Sequence, residues 1–96
     1  MTSKQRAYLR GQANTIDAIF QVGKGGITDV LLKQLDDAIE SRELIKVTVL
    51  ETAPGSSREL AEELAQGSNS VVVQTVGNKI TLFRQKKKNS KFDLPK

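Results

Sequence analysis

Residues 23 to 26 read Gly-Lys-Gly-Gly, set between the apolar runs that end in Val22 and begin at Ile27. Glycines strip a turn of side chains and leave its main-chain N–H groups open, and the lysine adds a full positive charge. That combination suits a phosphate oxygen. Thr28 is placed to cap a helix directly behind the loop, and the helix dipole would add partial positive charge at the same spot.

Three phosphate ligands compete for such a loop. A nucleoside triphosphate requires lysine and a hydroxyl after the last glycine, whereas here Gly25 follows Lys24, so a Walker loop is excluded. A dinucleotide fingerprint starts correctly as G-x-G but has Thr28 where a third glycine belongs, and Glu51 falls late for a ribose carboxylate. A nucleic-acid backbone needs only G-x-x-G, which Gly23, Lys24, Gly25 and Gly26 satisfy. A tight strand-to-helix connection would use the same glycines with no ligand at all.

Composition removes most other chemistry. The 96 residues include no cysteine and no histidine, which excludes disulfides, thiolate zinc sites, cysteine nucleophiles and Ser-His-Asp triads. No metal, cofactor or small-molecule substrate is expected, and the chain is read as a non-enzyme. Asp36, Asp37, Glu62 and Glu63 decorate amphipathic helices and are expected to be solvated rather than catalytic. The longest apolar runs are a few residues, such as Val71 to Val73, so no membrane span is expected and the default address is cytoplasmic.

The elements that must position the loop follow from periodicity. Thr2 and Gln5 make a capping box for a first helix from Ser3 to Gln12. A strand follows from Ile16 to Val22, bounded by the glycines. Leu31, Leu32, Leu35, Ala38 and Ile39 recur at three and four residues, defining a second helix whose outer face carries Asp29, Lys33, Asp36, Asp37 and Glu40. Ile45, Val47 and Val49 alternate with polar residues as a second strand. Ser56 and Glu59 repeat the capping spacing ahead of a third helix that ends at Gly67, and two β-branched runs joined by Gly77 and Asn78 form a hairpin. The order α-β-α-β-α-β-β predicts one α/β domain over residues 1–84, with a parallel strand pair and an antiparallel hairpin in a four-stranded mixed sheet. Residues 85–96 read as a basic, flexible tail.

The net charge of +4 is unevenly spread. Residues 1–27 carry four bases against one acid, residues 28–66 four against nine, and residues 67–96 seven against one. Helices two and three should therefore repel a polyanion. The candidates for binding one are Lys4, Arg6 and Arg10 on the first helix, the glycine loop, Arg84, and Lys86, Lys87 and Lys88 of the tail.

Three segments, "VGKGGIT", "ELIKV" and "VGNKITLFR", together with the element order, resemble the CRM domain family, named for chloroplast RNA splicing and ribosome maturation, and its stand-alone bacterial YhbY-type members. The resemblance spans residues 3 to 84. It implies a fold similar to the C-terminal domain of translation initiation factor three, and RNA binding tied to precursors of the large ribosomal subunit. By position, Gly23, Lys24, Gly25 and Gly26 match the family's RNA-facing loop, and Leu82-Phe83-Arg84 matches its Leu-Tyr-Arg strand ending without the tyrosine hydroxyl. The expected partner is therefore ribosomal RNA, held by the loop amides and Lys24, with Lys4, Arg6, Arg10 and Arg84 flanking and the lysine tail as a mobile arm.

The few aromatics, Tyr8, Phe20, Phe83 and Phe92, match no base-stacking motif, so contacts to phosphate and RNA shape should dominate. Two other readings share the same residues: a small nucleotide-binding module or enzyme built on the loop, and a DNA-binding protein using the basic arm.

Overall fold

In the computed structural model, which describes residues 1–95, the seven elements occur in the expected order: α1 (Ser3–Ala13), β1 (Ala18–Val22), α2 (Asp29–Arg42), β2 (Leu44–Val49), α3 (Ser57–Gly67), β3 (Val71–Val76) and β4 (Lys79–Phe83). They form a single α/β domain of three helices and a four-stranded mixed sheet of order β1-β2-β4-β3. β1 runs parallel to β2, and β4 lies antiparallel to both β2 and β3.

Local signals fix the helix starts. The Thr2 hydroxyl accepts from the Gln5 amide and the Gln5 side chain accepts from the Thr2 amide, each at 3.1 Å, a closed capping box. At α3 the box is half-formed. The Ser56 hydroxyl accepts from the Glu59 amide at 3.2 Å, but the Glu59 carboxylate accepts a hydrogen bond from that hydroxyl at 3.0 Å rather than from the backbone.

The core has two parts, one on each face of the sheet. α2 and α3 bury Leu35, Ile39, Leu60 and Leu64 against Val22, Ile45, Val47, Ile80 and Leu82. Burial of each large aliphatic side chain contributes about 1.5 to 3 kcal/mol. The other face is covered by α1, whose Leu9 and Ala13 pack on Leu44, Val73 and Phe83. β1 starts two residues later than the apolar run suggests, because the Ile16 amide closes a turn on the Ala13 carbonyl and the side chain joins the α1 cluster instead.

The segment after β4 does not run free of the domain. The buried Glu43 carboxylate accepts from the Lys86 amide (3.1 Å), the Ser90 hydroxyl (2.6 Å) and the Lys91 amide (2.6 Å). Phe92 meets Phe83 edge-on with ring centroids 5.5 Å apart, and Leu94 packs on the α1 cluster. The polar composition of residues 85–96, read from the sequence as a flexible tail, gives no sign of the carboxylate on the fold that collects three donors. Residue 96 of that tail lies outside the described residues.

Candidate nucleic-acid interface

The glycine loop occupies one end of the sheet with two other turns. The Leu50 amide donates to the Val22 carbonyl at 2.8 Å and the Val49 amide to Asn78 at 2.7 Å, so residues 23–26, residues 50–55 and the Gly77-Asn78 turn are fastened side by side. Within the loop, the Gly26 amide donates to the Gly23 carbonyl at 2.9 Å, closing a four-residue turn with Lys24 and Gly25 at its tip. Both tip residues are exposed. Among the described residues their amides have no hydrogen-bond partner, and Lys24 makes no ion pair.

The glycines are not equivalent. Gly26 has φ +68°, a left-handed conformation that penalises side chains, and a Cβ there would sit 3.1 Å from Pro54 Cγ. A Cβ on Gly23 would meet Leu50 Cδ1 at 3.3 Å. Gly25 has neither constraint: its φ is not positive, and a Cβ would find nothing within 4 Å. No contact inside the domain accounts for its missing side chain.

The N-terminus of α2 is less open than the loop. The Thr28 hydroxyl accepts from the Leu31 amide at 3.1 Å, and Asp29 places a carboxylate in the first turn, so part of the helix-end potential is already answered within the chain.

The other predicted cations divide. Lys4 and Arg10 lie exposed on α1, a helix with no acid in its first turn. Arg6 is turned inward and donates to the carbonyls of Val72 (2.6 Å) and Val73 (2.7 Å), fastening α1 to edge strand β3. Arg84 is likewise engaged: it donates to Asp36 (2.7 Å), Glu40 (3.1 Å) and the Ser68 carbonyl (2.7 Å), leaving its side chain 20% exposed. Arg84 follows the far end of β4, about 17 Å from Lys79 at roughly 3.3 Å per residue. Lys86, Lys87 and Lys88 line an open groove with Asp36, Asp37 and Glu40 of α2, on that same far side.

The structure therefore brings together the four loop residues, leaves Lys4 and Arg10 outside any ion pair on α1, which packs over the other end of the sheet, and sets Arg84 and the tail lysines at that other end too. Sequence blocks show net charge without showing where a strand ends relative to its neighbours.

Glu43 went unnoticed as an anchor. It caps α2 with φ 67° and is fully buried. Burial raises its pKa, yet donation by Ser90 and by the amides of Lys91 and Lys86, with the nearby Lys86 charge, outweighs that and holds the carboxyl below its ordinary value. Its only sequence signal was its place at the head of "ELIKV". Lys46 and Lys79 were also passed over, although their position opposite the alternating core residues of β2 and β4 was legible.

The CRS1/YhbY (CRM) domain model matches residues 1–84. The chain belongs to the CRM domain family. It is 46% identical over 95 residues to "Probable RNA-binding protein YqeI" of Bacillus subtilis, covering 99% of each chain. It is 35% identical over 94 residues to "Probable RNA-binding protein MJ0652" of Methanocaldococcus jannaschii, covering 96% of this chain and 69% of that one. A Haemophilus influenzae protein named as an RNA-binding protein is 26% identical over 96 residues, covering 100% and 96%. The solution structure of the Staphylococcus aureus protein SAV1595 superposes with a TM-score of 0.84 at 47% identity, covering 99% of both chains. Among the described residues of this CRM domain, no helix is long and apolar enough to cross a membrane, and no group of three or more Cys, Asp or Glu residues is arranged to hold a metal.

Proposed function

We propose that this CRM domain is a non-catalytic, cytoplasmic RNA-binding protein that takes a sugar-phosphate backbone at the loop of residues 23–26. Gly25 carries the reading. It is a glycine at an exposed turn tip for which neither its own φ nor any neighbour inside the domain calls, and a methyl group there would intrude only on something approaching from outside. The two unpartnered tip amides and the unpaired Lys24 ammonium supply donors and charge at that point, a pairing that favours phosphate over neutral ligands. Lys4 and Arg10 add long-range attraction from α1.

The relatives named as RNA-binding proteins support RNA as the polymer. The family likeness extends the reading to structured ribosomal RNA in precursors of the large subunit. Lys87 and Lys88 join the footprint only for an RNA long enough to span the sheet from end to end.

Filter binding to ribosomal RNA fragments across a salt series tests this. Engagement of about five phosphates in single-stranded segments gives a log-log slope near −3.5. Lys24→Glu should weaken binding in a protein whose circular dichroism is unchanged. A slope near zero, or full affinity in the folded Lys24→Glu variant, refutes the assignment.

A further inference from the structure

The face of the sheet that α1 leaves bare adjoins the glycine loop, and nothing in the loop reading uses it. Strand register defines it. Gln21 pairs with Thr48, Thr48 with Lys79, and Lys79 with Val76, so these four residues form one continuous row across all four strands. The adjacent row, Phe20, Val47 and Ile80, packs under α2 and α3, and side chains of neighbouring rows point to opposite faces. The Gln21-to-Val76 row therefore faces the α1 side. α1 covers only the other end of that face, over Leu44, Val73 and Phe83. Gln21, Lys79 and Val76 are exposed and Thr48 is half-exposed. The row ends two residues from Gly23.

Its chemistry is one-sided. The charged residues in the four strands are Lys46 and Lys79; no strand carries an acid. Lys46 stands on the same face one row nearer α1, paired through Thr81 with the level of Gln74. The Lys79 ammonium donates to the Thr48 hydroxyl at 2.8 Å, which steers one cation over the row and leaves its other two protons free. The row has amide, hydroxyl and ammonium groups, ends at the exposed apolar side chain of Val76, and has no aromatic ring on which a base could stack. Such a surface suits phosphates and ribose hydroxyls.

We infer that the bare row Gln21-Thr48-Lys79-Val76, with Lys46 behind it, is a second contact surface for the RNA sugar-phosphate backbone, continuous with the glycine loop. The inference rests on the RNA reading of the loop and extends it: the strand leaving the loop crosses the sheet instead of following α2, whose acids repel it.

The test compares wild-type protein, Lys24→Glu and the double variant Lys46→Gln/Lys79→Gln in filter binding to ribosomal RNA fragments from 0.1 to 1 M salt. Losing two phosphate contacts should make the slope shallower by about 1.4 and weaken binding roughly 25-fold at 0.1 M salt. Wild-type affinity and slope in the double variant, with Lys24→Glu weakened, overturn this inference and leave the loop reading standing. Absence of binding by the wild-type protein overturns both. Should the double variant fail to fold, amide shifts in wild-type protein titrated with the same RNA decide. Movement at Thr48 and Lys79 supports the second surface, and movement confined to residues 23–26 overturns it.

Discussion

Replacing Gly25 and Gly26 separately by alanine should split folding from binding, because the two neighbours differ in what holds them. At Gly26 the φ of +68° places an alanine in the left-handed region, which costs roughly 1 to 2 kcal/mol, and the new methyl must also displace Pro54 Cγ from 3.1 Å. In a domain of this size, 1 kcal/mol lowers Tm by about 4 to 8 °C, so Gly26→Ala should melt at least several degrees early. Gly25 has no positive φ and no neighbour within 4 Å of its hypothetical Cβ. Alanine there restricts the unfolded chain and should stabilise the fold by about 0.4 to 1 kcal/mol.

Binding should move the other way. A methyl at the turn tip holds a phosphate away from the Lys24 and Gly25 amides. A hydrogen bond to a charged group is worth about 1.5 to 3 kcal/mol, so the loss is roughly 10- to 100-fold in affinity for ribosomal RNA fragments. Thermal melts and filter binding at one fixed salt concentration measure both quantities. A Gly25→Ala protein that melts at or above the wild-type temperature and binds RNA with wild-type affinity would refute the idea that this glycine is reserved for an external backbone.

Two further outcomes follow from the far end of the sheet. Glu43→Gln replaces one acceptor oxygen with a donor amide facing N–H and O–H groups, so the segment after β4 should undock at a cost of about 1.5 to 3 kcal/mol. Loss of the nuclear Overhauser contacts between Phe92 and Phe83 reports it. In the wild-type protein the carboxyl ionises more readily docked than undocked, so docking is complete above the ordinary carboxylate range, about pH 4.3, and is lost as pH falls through the lower folded-state value. Persistence of those contacts in Glu43→Gln would show that Phe92 and Leu94 suffice. Arg84→Ala removes the donors to Asp36, Glu40 and Ser68 and should destabilise by about 1 to 2 kcal/mol while changing RNA affinity less than twofold; a tenfold loss of binding in folded protein would return Arg84 to the interface.

Elements with a strong local signal were legible in the sequence. The 3.6-residue stripe of α2, the alternation of β2 and the Gly77-Asn78 turn each needed only neighbours along the chain, and the loop was found because its three glycines fall within four residues. What stayed hidden depends on register across strands. Whether Arg84 flanks the loop or opposes it follows from β4 running antiparallel to β2, which carries residue 84 past Glu43 and away from Gly23. Arg6 looked like one of three equivalent cations on α1, yet only its side chain reaches the carbonyls left open by the irregular pairing between Val72 and Gln74. Glu43 resembled any acid ending a helix until the chain returned forty residues later to donate to it.

The folded placement of charge also changes what the net value means. The acid-rich middle of the sequence and its base-rich end meet in space, where Asp36 and Glu40 take Arg84, Glu43 takes three donors from the returning segment, and the tail lysines share a groove with α2. Opposite charges held this close cancel within about one Debye length, roughly 8 Å at physiological salt, and project little field beyond it. Lys24, Lys4 and Arg10 have no such counter-charge, and Lys46 and Lys79 stand on strands free of acids. A polyanion arriving from solution therefore meets cations outside any ion pair at the loop end, on the bare sheet face, and on α1 at the other end of that face. At the far end Asp36 and Glu40 answer Arg84, and the tail lysines share their groove with these same acids, which lowers the net charge that the densest basic run in the sequence presents there.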